Sequence, residues 1–159
     1  MKRIVTAITT AAAIALATIL PARAAFPALT LIYRVPGVID SGSAIDVGVA
    51  TAVQCTNVSG VAITLRVVSV HLDGSVAGTA TVTVANGHTV SLSTHFTNPY
   101  GNEVTAISAG IGINAGSIRI LATRAAVFCN ASVIDASATL PNGIDLHMVR
   151  YNAAPGTVE

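Results

Sequence analysis

The chain has 159 residues, 52% of them hydrophobic and 9% charged, with eight Lys and Arg against seven Asp and Glu and no tryptophan. That much apolar content at so low a charge excludes a disordered chain. Its few arginines form no cluster, which excludes the basic patch that a nucleic acid or an anionic membrane surface requires.

The first element in the chain is an export signal. Lys2 and Arg3 precede an apolar run from Ile4 to Leu20, and Ala22-Arg23-Ala24 then offers an Ala-x-Ala cleavage site. Four threonines interrupt the run and Pro21 ends it, so residues 1–24 read as a cleaved signal peptide and not as a membrane anchor. No second long apolar run follows, so the exported chain is expected to have no membrane span and to lie in the periplasm or outside the cell. Without the leader it keeps five arginines against seven acids and has no lysine, a net charge of −2. Residues 25–159 are expected to form one domain, which at about 135 residues buries roughly two thirds of its unfolded surface.

"ALTLIYRV" comes next and alternates as a strand does, then runs into "VPGVIDSGSA", Val35 to Ala44. Val38-Ile39-Asp40-Ser41-Gly42 resembles the active-site signature of the aspartic proteases, two apolar residues leading into Asp-Ser/Thr-Gly. The resemblance implies that Asp40 is one carboxylate of a dyad shared between two copies of the chain. Two departures count against it. Pro36-Gly37 stands where that family runs a strand into the aspartate, and "GIGIN", Gly110 to Asn114, has one apolar residue before Gly112 where the family has a pair. Asp-Ser-Gly after Pro-Gly is also bend chemistry, because Asp bonds to the backbone two residues on and Gly takes positive φ. A turn is expected here.

Beyond Asp46 the apolar residues recur with a period of two and sustain no helical pattern. Val47, Val49, Val53 and Cys55 share one strand face. Val61, Ile63, Leu65 and Val67 share another, before a change of register that predicts a β-bulge near Arg66 to Ser69. Ala80, Val82 and Val84 alternate with Thr79, Thr81 and Thr83, a solvated face, and Val90, Leu92 and Phe96 alternate with Ser91, Ser93 and His95. Further strands are expected at Ile118 to Thr123, Ala126 to Ile134 and Leu146 to Tyr151, with another around Val104 to Ile113. Turn chemistry divides them at "NVSG", "LDGS", "ANGH", "TNPYGN", "NAGS" and "LPNGID". About eight or nine short strands spaced in this way predict an all-β fold, an antiparallel sandwich with Greek-key connections.

Cys55 and Cys129, 74 positions apart, are the only cysteines. In an exported chain they are expected to form a disulfide worth roughly 4 kcal/mol in the chain-entropy model. The separation resembles the inter-sheet bridge of immunoglobulin domains, although the tryptophan that packs on that bridge is missing, so the likeness is one of architecture. Sequons follow both cysteines, at Asn57 and Asn130. His71, His88, His95 and His147 are dispersed and read as surface residues. Arg34, Arg119 and Arg124 could line a face, but arginines at strand rims pair with acids such as Asp46 or Glu103. No catalytic, cofactor-binding or metal-binding residue is assigned.

From Thr30 to Pro155, and most closely in "GVATAVQCTN", "GSIRILAT" and "PNGIDLHMVRYN", the chain resembles small secreted bacterial proteins of unknown function. The resemblance implies an exported β fold and carries no site residue. The functional expectation is a non-enzymatic exported module that meets a protein or glycan, or rests on an envelope surface, through loops at one end of the sandwich. An alternative is a self-assembling fibre subunit, since "ALTLIYRV" resembles the donated strand of pilin-type proteins. A dimeric aspartic protease using Asp40 is the remote alternative.

Overall fold

Branched apolar residues at alternate positions, broken by Asn, Asp and Gly, specify strands and tight connections. In the computed structural model, which describes residues 28–41, 45–106 and 112–151, these residues form β1 Thr30–Asp40, β2 Val49–Asn57, β3 Ile63–His71, β4 Val76–Val84 and β5 Thr89–Ser93. They continue as β6 Glu103–Thr105, β7 Ile113–Ala122, β8 Val127–Asp135, β9 Gly143–Asp145 and β10 Val149–Arg150. The expected leader, residues 1–24, lies outside the described residues, as do Gly42 of the Asp-Ser-Gly motif and Gly110 and Ile111 of "GIGIN". Among the described residues no helix is long and apolar enough to cross a membrane.

Two five-stranded sheets pack together, in the orders β10-β1-β7-β3-β4 and β6-β5-β2-β8-β9. The fold is the expected β-sandwich. Val35, Leu65, Ile118 and Ile120 from the first sheet meet Val53, Leu92 and Val127 from the second in one apolar layer, none more than 1% exposed. Burying each such side chain is worth about 1.5–3 kcal/mol. Tyr33 spans the layer and donates from its hydroxyl to the Val127 carbonyl at 3.0 Å.

Several elements depart from expectation. Pro36 and Gly37 lie inside β1 and form no turn. The strand breaks register with β7 between Pro36 and Val38 and again between Val38 and Asp40, and Gly37 takes φ +80°. β10 pairs only with Tyr33 and Arg34, so beyond them no described strand lies along that side of β1 and a proline there is tolerated. The bulges direct both Val38 and Asp40 inward, at 0% and 2% exposure. β9 forms within "LPNGID", where a turn is expected. The irregularity near Arg66 to Ser69 falls between Ser69 and Val70, and its extra residue is Ala77 on β4. The threonine face of β4 is exposed as expected.

The sandwich is also not antiparallel throughout, because β5 and β6 pair in parallel. Parallel neighbours cannot be joined by a hairpin, so residues 94–102 must return across the sheet before β6 begins. Tyr100 on that crossover covers Ala50, Ala52, Ile134 and Ala136, a small apolar cluster separate from the main core.

Cys55 and Cys129 form the expected disulfide, but within one sheet. They are directly opposed residues of β2 and β8, with Cα atoms 4.1 Å apart. The resemblance to the immunoglobulin bridge therefore stops at the sequence separation.

Candidate functional site

Bulging β1 carries Asp40 into the gap between the sheets, and the parallel crossover carries His95 to meet it from the other side. His95 Nδ1 lies 2.9 Å from Asp40 Oδ2, and its Nε2 lies 3.1 Å from the Val47 carbonyl oxygen. His95 is 6% exposed, so the expected surface position is wrong for this histidine. Both ring nitrogens face oxygens. A neutral imidazole carries a single N–H, so satisfying both contacts takes either the doubly protonated ring or a proton on Asp40 with Nδ1 accepting. In either arrangement the pair is neutral as a unit, which lets it occupy the rim of an apolar layer.

Around the pair, hydroxyl groups replace ladder partners that the ending strands lack. Thr51 Oγ1 donates to the Ile39 carbonyl at 2.8 Å and accepts from the Ile39 amide at 3.0 Å, joining β2 to the end of β1 across the sheets. The Thr51 amide donates to Thr94 Oγ1 at 3.0 Å, and the Thr94 amide returns a bond to the Thr51 carbonyl at 2.9 Å. Buried amides and carbonyls need such partners, because each left unmade costs about 1–3 kcal/mol.

A second anchor holds the crossover. The Glu103 carboxylate, 9% exposed, accepts from Ser93 Oγ at 2.6 Å, from the Thr97 amide at 3.0 Å and from the Thr97 hydroxyl. Glu103 therefore serves the loop and no arginine, contrary to expectation. Among the described residues the arginines make no salt bridge with a carboxylate. Arg34 and Arg119 stand opposite each other on β1 and β7, and Arg150 lies 5.6 Å above the Tyr33 ring.

The two anchored loops are tied to each other, since the Asp46 amide donates to the Phe96 carbonyl at 3.0 Å. Asp46 itself takes φ +57°, a conformation Asp tolerates better than most residues. Above the polar anchors the surface turns apolar. Ile45, Val47 and Phe96 are 62%, 50% and 45% exposed. Ile45 and Phe96, with Asp46, Asn98 and Tyr100 among others, line a shallow depression of about 350 Å³. Buried polar groups thus lie below and exposed apolar groups above.

Other residues singled out by the sequence lie elsewhere. Asp40 is the last residue of β1 and its carboxylate is engaged by His95, while Gly42 of the expected turn lies outside the described residues. His71 ends β3, and His88 and His147 are exposed. Among the described residues no group of three or more His, Cys, Asp or Glu is placed to hold a metal ion. Asn57 is 1% exposed and its side-chain amide donates to the Val61 and Val84 carbonyls, so it closes the β2–β3 turn and leaves no room for a glycan. Asn130 is exposed. Comparison with protein-family models, curated proteins and solved structures gave no match.

Proposed function

We propose that this chain is an exported, non-enzymatic module that binds a protein or glycan through the paired β1–β2 and β5–β6 loops. One observation carries the reading. Two segments, 45–48 and 94–102, are held from beneath by the Asp40–His95–Val47 contacts and by Glu103, yet present Ile45, Val47 and Phe96 to solvent. Ordering loops in advance lowers the entropy cost of binding, and aromatic anchors at the centre of a contact carry much of its energy. The leader-like residues 1–24 and the Cys55–Cys129 bridge support export. β1 lies between β10 and β7, so the N-terminal strand completes the sheet of its own chain. That placement favours a self-contained module over a subunit whose sheet awaits a neighbour's strand.

The test is binding of the folded protein to envelope fractions and glycan arrays, beside a variant carrying Ile45→Ser and Phe96→Ser. Specific capture by the native protein, weakened about tenfold or more in a variant of equal thermal stability, is the expected result. Equal capture by both, or none by either, would remove the proposal.

A further inference from the structure

β4 ends its sheet as a nine-residue strand, Val76–Val84, whereas the other terminal strands, β6, β9 and β10, have two or three residues. Long edges are normally blunted by lysine, proline, bulges or inward charges, because free backbone groups recruit other strands. The stretch of β1 beyond Arg34 carries such protection in Pro36 and its bulges. β4 carries none from Gly78 to Val84, a run without charge or proline, and its irregularity is confined to Ala77 at the start.

The direction of its free groups follows from β3. The Thr123 amide donates to the Thr64 carbonyl, so even-numbered residues of β3 bond toward β7 and odd-numbered ones toward β4, as the His71 amide donating to Ser75 also requires. Ile63, Leu65 and Val67 stand opposite Val84, Val82 and Ala80. The amides and carbonyls of Thr79, Thr81 and Thr83 therefore point away from the sheet, and no described residue pairs with them.

We infer that the free edge of β4 binds β4 of a second copy of this chain, antiparallel about a two-fold axis through Thr81. The edge is self-complementary at that register. Thr81 meets its symmetry mate and Thr79 meets Thr83, giving about six ladder hydrogen bonds, while Ala80 meets Val82 on the inner face. Threonine pairs are favourable cross-strand neighbours, and no charge stands on the strand to repel its copy. Arg66 Nε is committed to Thr81 Oγ1 at 3.1 Å on its own side. A two-fold contact uses the same surface on both copies and closes, so the product is a dimer with one continuous sheet and not a fibre.

Amide hydrogen exchange tests the register directly. Between about 10 μM and about 1 mM protein, the Thr79, Thr81 and Thr83 amides should gain protection in step with dimer formation by sedimentation, while Ala80 and Val82, bonded to β3, stay protected throughout. Thr81→Lys places like charges opposite each other and should weaken the dimer about tenfold or more, with its circular dichroism unchanged. Thr81→Pro removes a donor that β3 does not use and gives a second route to the same loss. Fast exchange of the three threonine amides at the highest concentration would overturn the inference. So would a dimer that leaves them fast, or protection that is independent of concentration, which would mean another segment covers the edge.

Discussion

His95 is held between two oxygens, and the energetic consequence differs according to which partner is taken away. Asp40→Ala leaves His95 Nδ1 without its partner while Nε2 can still donate to the Val47 carbonyl, whereas His95→Ala leaves a carboxylate at 2% exposure with no described partner. Removing one member of a buried pair costs about 3–5 kcal/mol, whereas removing both also removes the orphaned charge. The double variant should therefore be less destabilised than the sum of the two singles, as measured by urea unfolding at neutral pH. Strict additivity would mean that the pair does not act as a unit. The two residues are 55 positions apart and each carries the local pattern of something else, a turn for Asp40 and a surface alternation for His95. Nothing local announces the pair. Glu103 does leave a faint signal, being the one Asp, Glu, Lys or Arg between Asp73 and Arg119. A lone charge in so long an uncharged stretch has few reasons to persist, and anchoring a crossover is one of them.

Among the elements, the strands that follow a regular period were legible. From Gly78 to Val84 β4 alternates cleanly and folds as it reads, threonines outward, because one face packs on the core and the other meets water. The second half of β1, and β9, were hidden by Pro36-Gly37 and Asn142-Gly143, residues that favour turns in isolation but are accommodated here by bulges and by a short edge strand. Where a turn does form, its chemistry is local and titratable. After β3, Asp73 Oδ1 accepts from the Ser75 hydroxyl at 2.6 Å and its amide at 2.9 Å; after β8, Asp135 Oδ1 accepts from the Ser137 hydroxyl at 2.7 Å and its amide at 2.9 Å. These bonds, the hydroxyl first, hold both carboxyls below the ordinary aspartate range. A depressed folded-state value means that each turn's contribution is present above the unfolded aspartate value and fades as pH falls through the folded one. In a carboxyl NMR titration, Ser75→Ala should raise the Asp73 midpoint and leave Asp135 in place. An unmoved Asp73 would refute the hydroxyl as the cause.

At the scale of the whole molecule, the central pairings β1–β7, β3–β7, β2–β5 and β2–β8 are long-range, and this makes the bridge matter more to folding than to unfolding. β2 and β8 pair along nine positions from Val49–Asp135 to Asn57–Val127, with Cys55–Cys129 among them. Without the bridge, the chain must close a loop of 74 positions before that pairing can begin, an entropy cost that non-local β topologies meet early. The bridge restricts the unfolded chain and adds no contact between the sheets, so its stabilisation of roughly 4 kcal/mol should enter through the unfolded state. Three results follow for the paired substitution Cys55→Ala and Cys129→Ala compared with the oxidised protein. The urea midpoint should fall, the m-value should rise because the released chain exposes more surface, and refolding should slow while the unfolding rate changes little. Stopped-flow chevrons measure all three. If the variant instead unfolded much faster and refolded at the native rate, the bridge would be bracing the folded sheet, and the entropic account of how this sandwich is held together would fail.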